Sequence, residues 1–167
     1  SNTEEVLGCT DPMADNYNSN ASTDDGSCEG SSVNYDDFTY IGEFGDHYYY
    51  KSNNMSTWMD AFTISQNSGG YLSTITNQEE NDFVNSFCNG NPLWIGLSDH
   101  ENEGDFKWVT GEPVLFTNWV PNQPDNAWGE QHYGLMDCNS GQWDDDGEES
   151  VQNYILEIDP TILYGCT

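Results

Sequence analysis

Arginine is absent from this 167-residue chain, and lysine occurs only at Lys51 and Lys107, against thirty aspartates and glutamates and a net charge of −28. With no basic surface to neutralise phosphates, nucleic acid is excluded as a direct partner. An anionic membrane surface is disfavoured for the same reason. No apolar run approaches the roughly 20 residues that span a bilayer, so membrane insertion is not expected. Histidine is scarce too: His47, His100 and His132 are scattered, and no Cys–His or Ser–His–acid grouping emerges. The adjacent Asp144 and Asp145 could imitate a glycosidase pair, but their neighbours suit a cation cage better. Catalysis is not expected.

What is present is aromatic and acidic. Hydrophobic residues make up 35% and aromatics 14%, enough for the core of one ordinary domain with a small appendage. Most of the acids read as a solvated surface. Those that cluster read differently, since divalent cations are their natural counterions. The densest cluster runs from Gln123 to Asp145, where Gln123, Asp125, Glu130, Asp144 and Asp145 lie among Trp119, Trp128 and Trp143. Carboxylates and side-chain amides are the hard oxygen ligands that Ca2+ takes, usually six to eight at a time. The tryptophans offer flat apolar faces on which a sugar ring could rest. Metal and platform together suggest calcium-dependent recognition.

Five cysteines leave one over. Cys9 and Cys28 bracket a polar, turn-rich segment that needs a staple to fold, and a disulfide between them places the protein outside the reducing cytosol. Cys88 and Cys138 can form a second bridge, leaving Cys166. The closing Gly165-Cys166-Thr167 echoes Gly8-Cys9-Thr10, as an internal repeat would. The expected organisation is an acidic disulfide-tied repeat over 1–30, a Gly/Ser linker at 31–37, a main domain over 38–159, and the start of a following repeat at 160–167. The first segment loosely resembles thrombospondin type 3 repeats, which implies calcium ligands at Asp11, Asp15, Asp24 and Asp25. A disulfide-tied linker with a solvated acidic face is the alternative. The repeats imply a larger multidomain chain that is secreted or cell-surface, with a role in adhesion.

From Phe38 the texture changes to α+β. Tyr40, Ile41, Phe44 and Tyr48–Tyr50 predict paired strands around a turn at Gly45-Asp46. Ser56 or Thr57 can cap a helix through Trp58, Ala61, Phe62 and Ser65, stopped by Gly69-Gly70. Tyr71–Ile75 reads as a strand. Thr76, with Glu79 three positions on, forms a capping box for a second helix whose apolar face is Phe83, Val84 and Phe87. Leu93–Leu97 predicts a buried strand, and Tyr133–Met136, Gly141–Asp144 and Tyr154–Ile158 predict three more. Between them, about thirty-five residues rich in Gly, Pro, Asn and acid are too long for an ordinary connection.

The order of these pieces resembles the C-type lectin domain. Trp94-Ile95-Gly96-Leu97 matches the family's WIGL core strand. Trp58-Met59-Asp60-Ala61 with Gly69-Gly70-Tyr71-Leu72, then Glu79 and Phe83, then Phe116-Thr117-Asn118-Trp119, follow in the family's order. The resemblance covers about residues 38–159 and implies two helices, small antiparallel sheets and a long calcium-binding loop. It departs from the family at both usual disulfides: Ser65 and Leu156 stand at one, His132 and Glu148 at the other.

For the site, the resemblance implies a main calcium held by Gln123, Asp125, Glu130, Asp144 and Asp145, with a cis bond before Pro124. Two vicinal sugar hydroxyls complete that shell, contacting Gln123, Asp125, Glu130 and Asp144. Amide before and acid after the proline accompanies galactose-type ligands. Trp128 either stacks on such a sugar or packs within the loop. A second calcium falls at Asp99, Glu103 and Asn126, with Gln131 where another acid is usual; otherwise Asp99 and Glu103 merely order the loop. Asp144 stands where the family has asparagine, so an amide donor is missing, because an ionised carboxylate only accepts. That departure sustains the rival expectation of a lectin-like domain that binds ice, mineral or a protein partner.

Overall fold

The structure, a computed structural model, describes residues 4–30 and 32–163. Cys166 and the second half of the expected following repeat, 164–167, lie outside the described residues. In chain order the elements are β1 (Leu7–Gly8), β2 (Thr23–Asp24), β3 (Phe38–Phe44), β4 (His47–Ser52), α1 (Trp58–Asn67), β5 (Tyr71–Leu72), α2 (Gln78–Asn85) and β6 (Leu93–Ser98). Then come β7 (Lys107–Trp108), a 3-10 turn at Ala127–Gly129, β8 (Gln131–Met136), β9 (Trp143–Gly147), β10 (Asn153–Ile158) and α3 (Pro160–Leu163).

The larger sheet runs β3-β4-β10-β6-β8-β9, with β5 edging β10 and β7 edging β6. Its pairings are antiparallel except β10 with β6, a parallel pair in register Asn153↔Leu93 and Tyr154↔Trp94. The α+β expectation therefore holds, with the small antiparallel sheets joined through that parallel seam. Alternation along the strands explains why β6 is wholly buried. Trp94 faces one cluster with Trp58, Tyr50, Leu156 and Tyr133. Leu93, Ile95 and Leu97 face another with Tyr49, Trp108, Met136 and Trp143. A strand covered on both faces reads as a continuous apolar run. Within it Gly96 is required, because a Cβ there would lie 2.5 Å from the Leu72 carbonyl oxygen.

Both helix caps are visible. Thr57 is the N-cap of α1, accepting from the Asp60 N–H. In α2 the cap is Asn77, not Thr76 as expected, and it accepts from the Glu80 N–H at 2.8 Å. Asparagine outranks threonine at this position. The one-residue shift makes Glu80, not Glu79, the acid of the first turn that reaches back. Its Oε2 accepts from the Thr76 N–H at 2.7 Å and the Thr76 hydroxyl at 2.8 Å. Two strand bounds also move. Tyr71–Ile75 keeps only Tyr71–Leu72 as strand, and Gly141 sits in a turn at φ 71, so β9 starts at Trp143 and runs to Gly147.

Disulfides join Cys9 to Cys28 and Cys88 to Cys138. Where the resemblance lacks a cystine, Ser65 and Leu156 are both wholly buried, so packing occupies the place of that bridge.

The N-terminal segment, expected to be an acidic repeat, is held to the rest of the chain by specific contacts. Val33 is 3% exposed and belongs to the main core. Asp11, expected among the calcium ligands, is fully buried and spends its carboxylate on other partners. It accepts from the Met13 N–H at 2.8 Å, from the Tyr50 hydroxyl at 2.9 and 3.0 Å, and from the Tyr35 hydroxyl. Asp24 and Asp25 accept from the Gly26 and Ser27 N–H groups of their own turn. Among the described residues Asp11, Asp15, Asp24 and Asp25 form no converging ligand set. Burial, and next the Asp11 charge, push the Tyr50 hydroxyl pKa far up, so Tyr50 stays a donor to Asp11. Hydrogen bonds to a charged acceptor contribute about 1.5–3 kcal/mol each. Asp11→Ala is therefore expected to cost on the order of 3 kcal/mol and to undock the repeat. Amide hydrogen exchange checks this: protection should fall across residues 4–30 while β6 and β10 stay protected. Unchanged protection in the repeat would refute the anchoring role.

Candidate functional site

The residues expected for the main cage fall on two segments, the loop from Gln123 to Glu130 and strand β9. The Gln123–Pro124 peptide bond is cis, as the resemblance implies. Asp144 and Asp145 lie on β9, opposite Leu135 and Gly134 of β8. They stand there because Trp143 is wholly buried, its N–H donating to the Asn118 carbonyl at 2.8 Å and its own carbonyl accepting from the Val120 N–H at 2.9 Å. This pairing lays the loop alongside β9. Asp145, 1% exposed, then clasps the loop: Oδ1 accepts from the Asp125 N–H at 3.1 Å and Oδ2 from the Asn126 N–H at 2.9 Å.

Three features set this region apart. First, Oε1 of Gln123 is buried and has no hydrogen-bond partner, an arrangement that ordinarily costs about 1–3 kcal/mol. Secondly, burial, followed by the charges of Asp145, Asp125 and Asp146, raises the Asp144 pKa against the lowering effect of the Asp145 N–H. A cation would relieve that crowding. Thirdly, Trp128 is 94% exposed and sits at φ 60, a left-handed conformation that bulky side chains avoid and that costs about 1–3 kcal/mol. Most of its side chain therefore makes no contact with the loop. Its ring stands in solvent beside a groove of 430 Å³ shared with Glu130, His132, Asp146 and Glu148.

The acids of this cage do not close on one another. Among the described residues, the only His, Cys, Asp or Glu set with three ligand atoms all within 4.8 Å is Asp99, Glu103 and His132. It lies at the expected second calcium position but with altered membership. His132 Nδ1 stands 3.1 Å from Asp99 Oδ1 and 3.3 Å from Glu103 Oε2. Asn126, expected there, turns its side chain elsewhere: its Oδ1 accepts from the Gln131 N–H at 3.0 Å. Gln131 likewise spends its Oε1 on the Ala127 N–H at 2.8 Å. Two amides that could have supplied oxygens instead pin the loop. No local pattern announces His132, since 33 residues separate it from Asp99. The one cue was its place at a missing cystine.

Two helices packed on a sheet with a parallel seam, and a long loop clasped by acids next to a cis proline, define a lectin-like recognition domain. The chain belongs to the C-type lectin family: residues 54–156 match the family model of the Lectin C-type domain. Members of this family are non-catalytic, carbohydrate-binding proteins. Lectin BRA-3 from Megabalanus rosa is 38% identical over 128 residues, covering 74% of this chain and 76% of that protein. Two further relatives are longer, and this chain spans 29% and 42% of them. The crystal structure of C-type lectin CEL-I from Cucumaria echinata superposes with a TM-score of 0.67 at 29% identity, covering 71% of this chain and 93% of that one. A calcium-independent type II antifreeze protein shares the fold too, with a TM-score of 0.65 at 25% identity, covering 72% and 90%.

Proposed function

We propose that this domain binds galactose-type vicinal diols in a calcium-dependent manner, through Gln123, Asp125, Glu130, Asp144 and Asp145, with Trp128 as the stacking face. The observation that carries the reading is the buried, unpartnered Oε1 of Gln123, an oxygen suited to a hard cation. Bound Ca2+ would supply the positive centre toward which two sugar hydroxyl oxygens turn. The remaining work belongs to the chain. The Gln123 amide donates to one hydroxyl, the carboxylates of Asp125 and Glu130 accept hydroxyl protons, and Asp145 holds the loop in place. The exposed Trp128 ring offers an apolar face to the sugar. The two disulfides support an extracellular setting. The Cys-bracketed repeat over 1–30, and the echo of it at 160–167, support a place in a larger adhesive chain.

Retention on immobilised galactose tests the reading. Binding with Ca2+, and elution by chelator and by free galactose, are expected. Passage through the column in saturating Ca2+ would overturn it. Asp144 supports one competing reading, because it lacks the amide donor for the second hydroxyl, and the antifreeze relative of this fold adds to it. On that reading the domain shapes ice crystals and ignores galactose. If galactose is the ligand, Asp144→Asn restores a neutral hydrogen bond worth about 0.5–1.5 kcal/mol. Its galactose affinity is expected to rise about twofold to tenfold by calorimetry. Unchanged affinity would show that no donor is missing at Asp144.

A further inference from the structure

We propose that Asp99, Glu103 and His132 form a site for a zinc-class divalent ion, a borderline transition metal and not calcium. Calcium takes six to eight oxygens, and among the His, Cys, Asp and Glu side chains of the described residues two carboxylates converge here, together with one imidazole nitrogen. The two amides able to make up the number, Asn126 and Gln131, are committed to backbone N–H groups of the loop. Calcium is therefore a poor fit. Zinc needs only three protein ligands plus one open position, and imidazole with carboxylate suits it well.

The geometry agrees. Bonds of about 2.0–2.1 Å directed to the corners of a tetrahedron place neighbouring ligand atoms about 3.4 Å apart. His132 Nδ1 already lies 3.1 Å and 3.3 Å from the two carboxylate oxygens. The site is also supported from behind. Asp99 is 2% exposed, its other oxygen accepts from the Gly104 N–H at 2.8 Å, and its own N–H donates to the His132 carbonyl at 3.1 Å. A ligand whose second oxygen is already hydrogen-bonded keeps its orientation, which favours metal binding. Glu103 and His132 remain partly exposed, with side-chain exposures of 54% and 31%, so an ion can enter from solvent.

A consequence follows for the fold. His132 is the second residue of β8, while Asp99 and Glu103 lie at the start of the long loop after β6. An ion at this site clips the loop to the sheet where the family resemblance places a cystine that this chain lacks. The proposal is independent of whether the Gln123 cage takes calcium.

The test is calorimetric titration of the full chain with ZnCl2 in saturating Ca2+, after alkylation of Cys166, the one cysteine outside the two disulfides. One equivalent of zinc is expected to bind. Loss of a direct ligand should weaken it by at least the tenfold or more seen when supporting residues are removed. His132→Gln and Asp99→Asn should therefore bind at least about tenfold more weakly, whereas His47→Gln should match the wild type. If Asp99→Asn fails to fold, His132→Gln alone decides, with the ring signals of His132 followed by NMR. Those signals should shift on adding zinc and not calcium. No zinc binding, or stoichiometric binding that survives His132→Gln, would each overturn the proposal. The first of these outcomes would leave His132 as the counterion of the two acids.

Discussion

Asp145→Ala is expected to abolish calcium-dependent retention on galactose and to weaken calcium binding about a hundredfold or more. The expectation rests on what the carboxylate holds as much as on its service as a ligand. Both oxygens are engaged by consecutive loop N–H groups, from Asp125 and Asn126, and the residue is 1% exposed. Two hydrogen bonds to a charged acceptor are together worth about 3–6 kcal/mol. At about 1.4 kcal/mol per factor of ten, even the lower figure is about a hundredfold. Without that clasp the Asp125–Asn126 backbone is no longer held to β9. The neighbouring Asp146 is the control, since its Oδ1 accepts only from the adjacent Gly147 N–H. Asp146→Ala should retain calcium affinity within a few-fold. Calorimetric calcium titration of both variants, with circular dichroism to establish folding, checks the prediction. Asp145→Ala binding calcium as tightly as wild type would remove Asp145 from the proposed site.

Trp143→Ala is expected to cost about 3–5 kcal/mol in folding stability, the range for removing a large buried aromatic. The ring is fully buried and meets Trp108, Phe116 and Trp119 edge to face at centroid distances of 5.6, 5.7 and 5.8 Å. Its indole N–H donates to Asn81 Oδ1 at 2.8 Å, and Asn81 in turn donates to the Gly141 carbonyl at 2.9 Å. Truncation therefore opens a cavity and also strands a buried amide oxygen of α2. Because Asp144 and Asp145 follow directly, the loss should reach the site. Urea unfolding is expected to show a lowered midpoint, and calcium affinity should fall with it. A stability change under about 1 kcal/mol would mean that the tryptophan cluster does not hold the loop against β9.

These two residues illustrate how much of the molecule was legible in the chain itself. Trp143 was recognisable as part of a Trp-Asp-Asp run within an expected strand, but its sequence neighbours are polar, and its full burial, which removes it as a face for a sugar, comes only from the fold. The cis bond before Pro124, through the family resemblance, α1 with its cap narrowed to Ser56 or Thr57, the buried WIGL strand and both disulfide pairings were also readable. Each depends on neighbours in sequence, on a repeat of polarity, or on the order of motifs. The cap of α2 was misplaced by one residue because Thr76 and Asn77 are both capping residues with a glutamate three positions on. Only the burial of Glu80, whose Oε1 accepts from the Tyr49 hydroxyl at 2.8 Å, distinguishes them.

The amino-acid sequence by itself determined the family, the α+β class, the helices and the loop that carries Gln123 to Glu130. Those properties follow from periodicity, capping and residue chemistry within short windows. Only the tertiary structure decided the fate of individual acids. Asp11 became an anchor for Tyr50 across 39 residues, and His132 joined Asp99 across 33. Asn126 and Gln131 turned inward, and Trp128 stood out into solvent. A carboxylate is a metal ligand, a hydrogen-bond acceptor or a solvated charge according to what the fold brings within about 3 Å of it. Chain-local pattern carries no record of that distance.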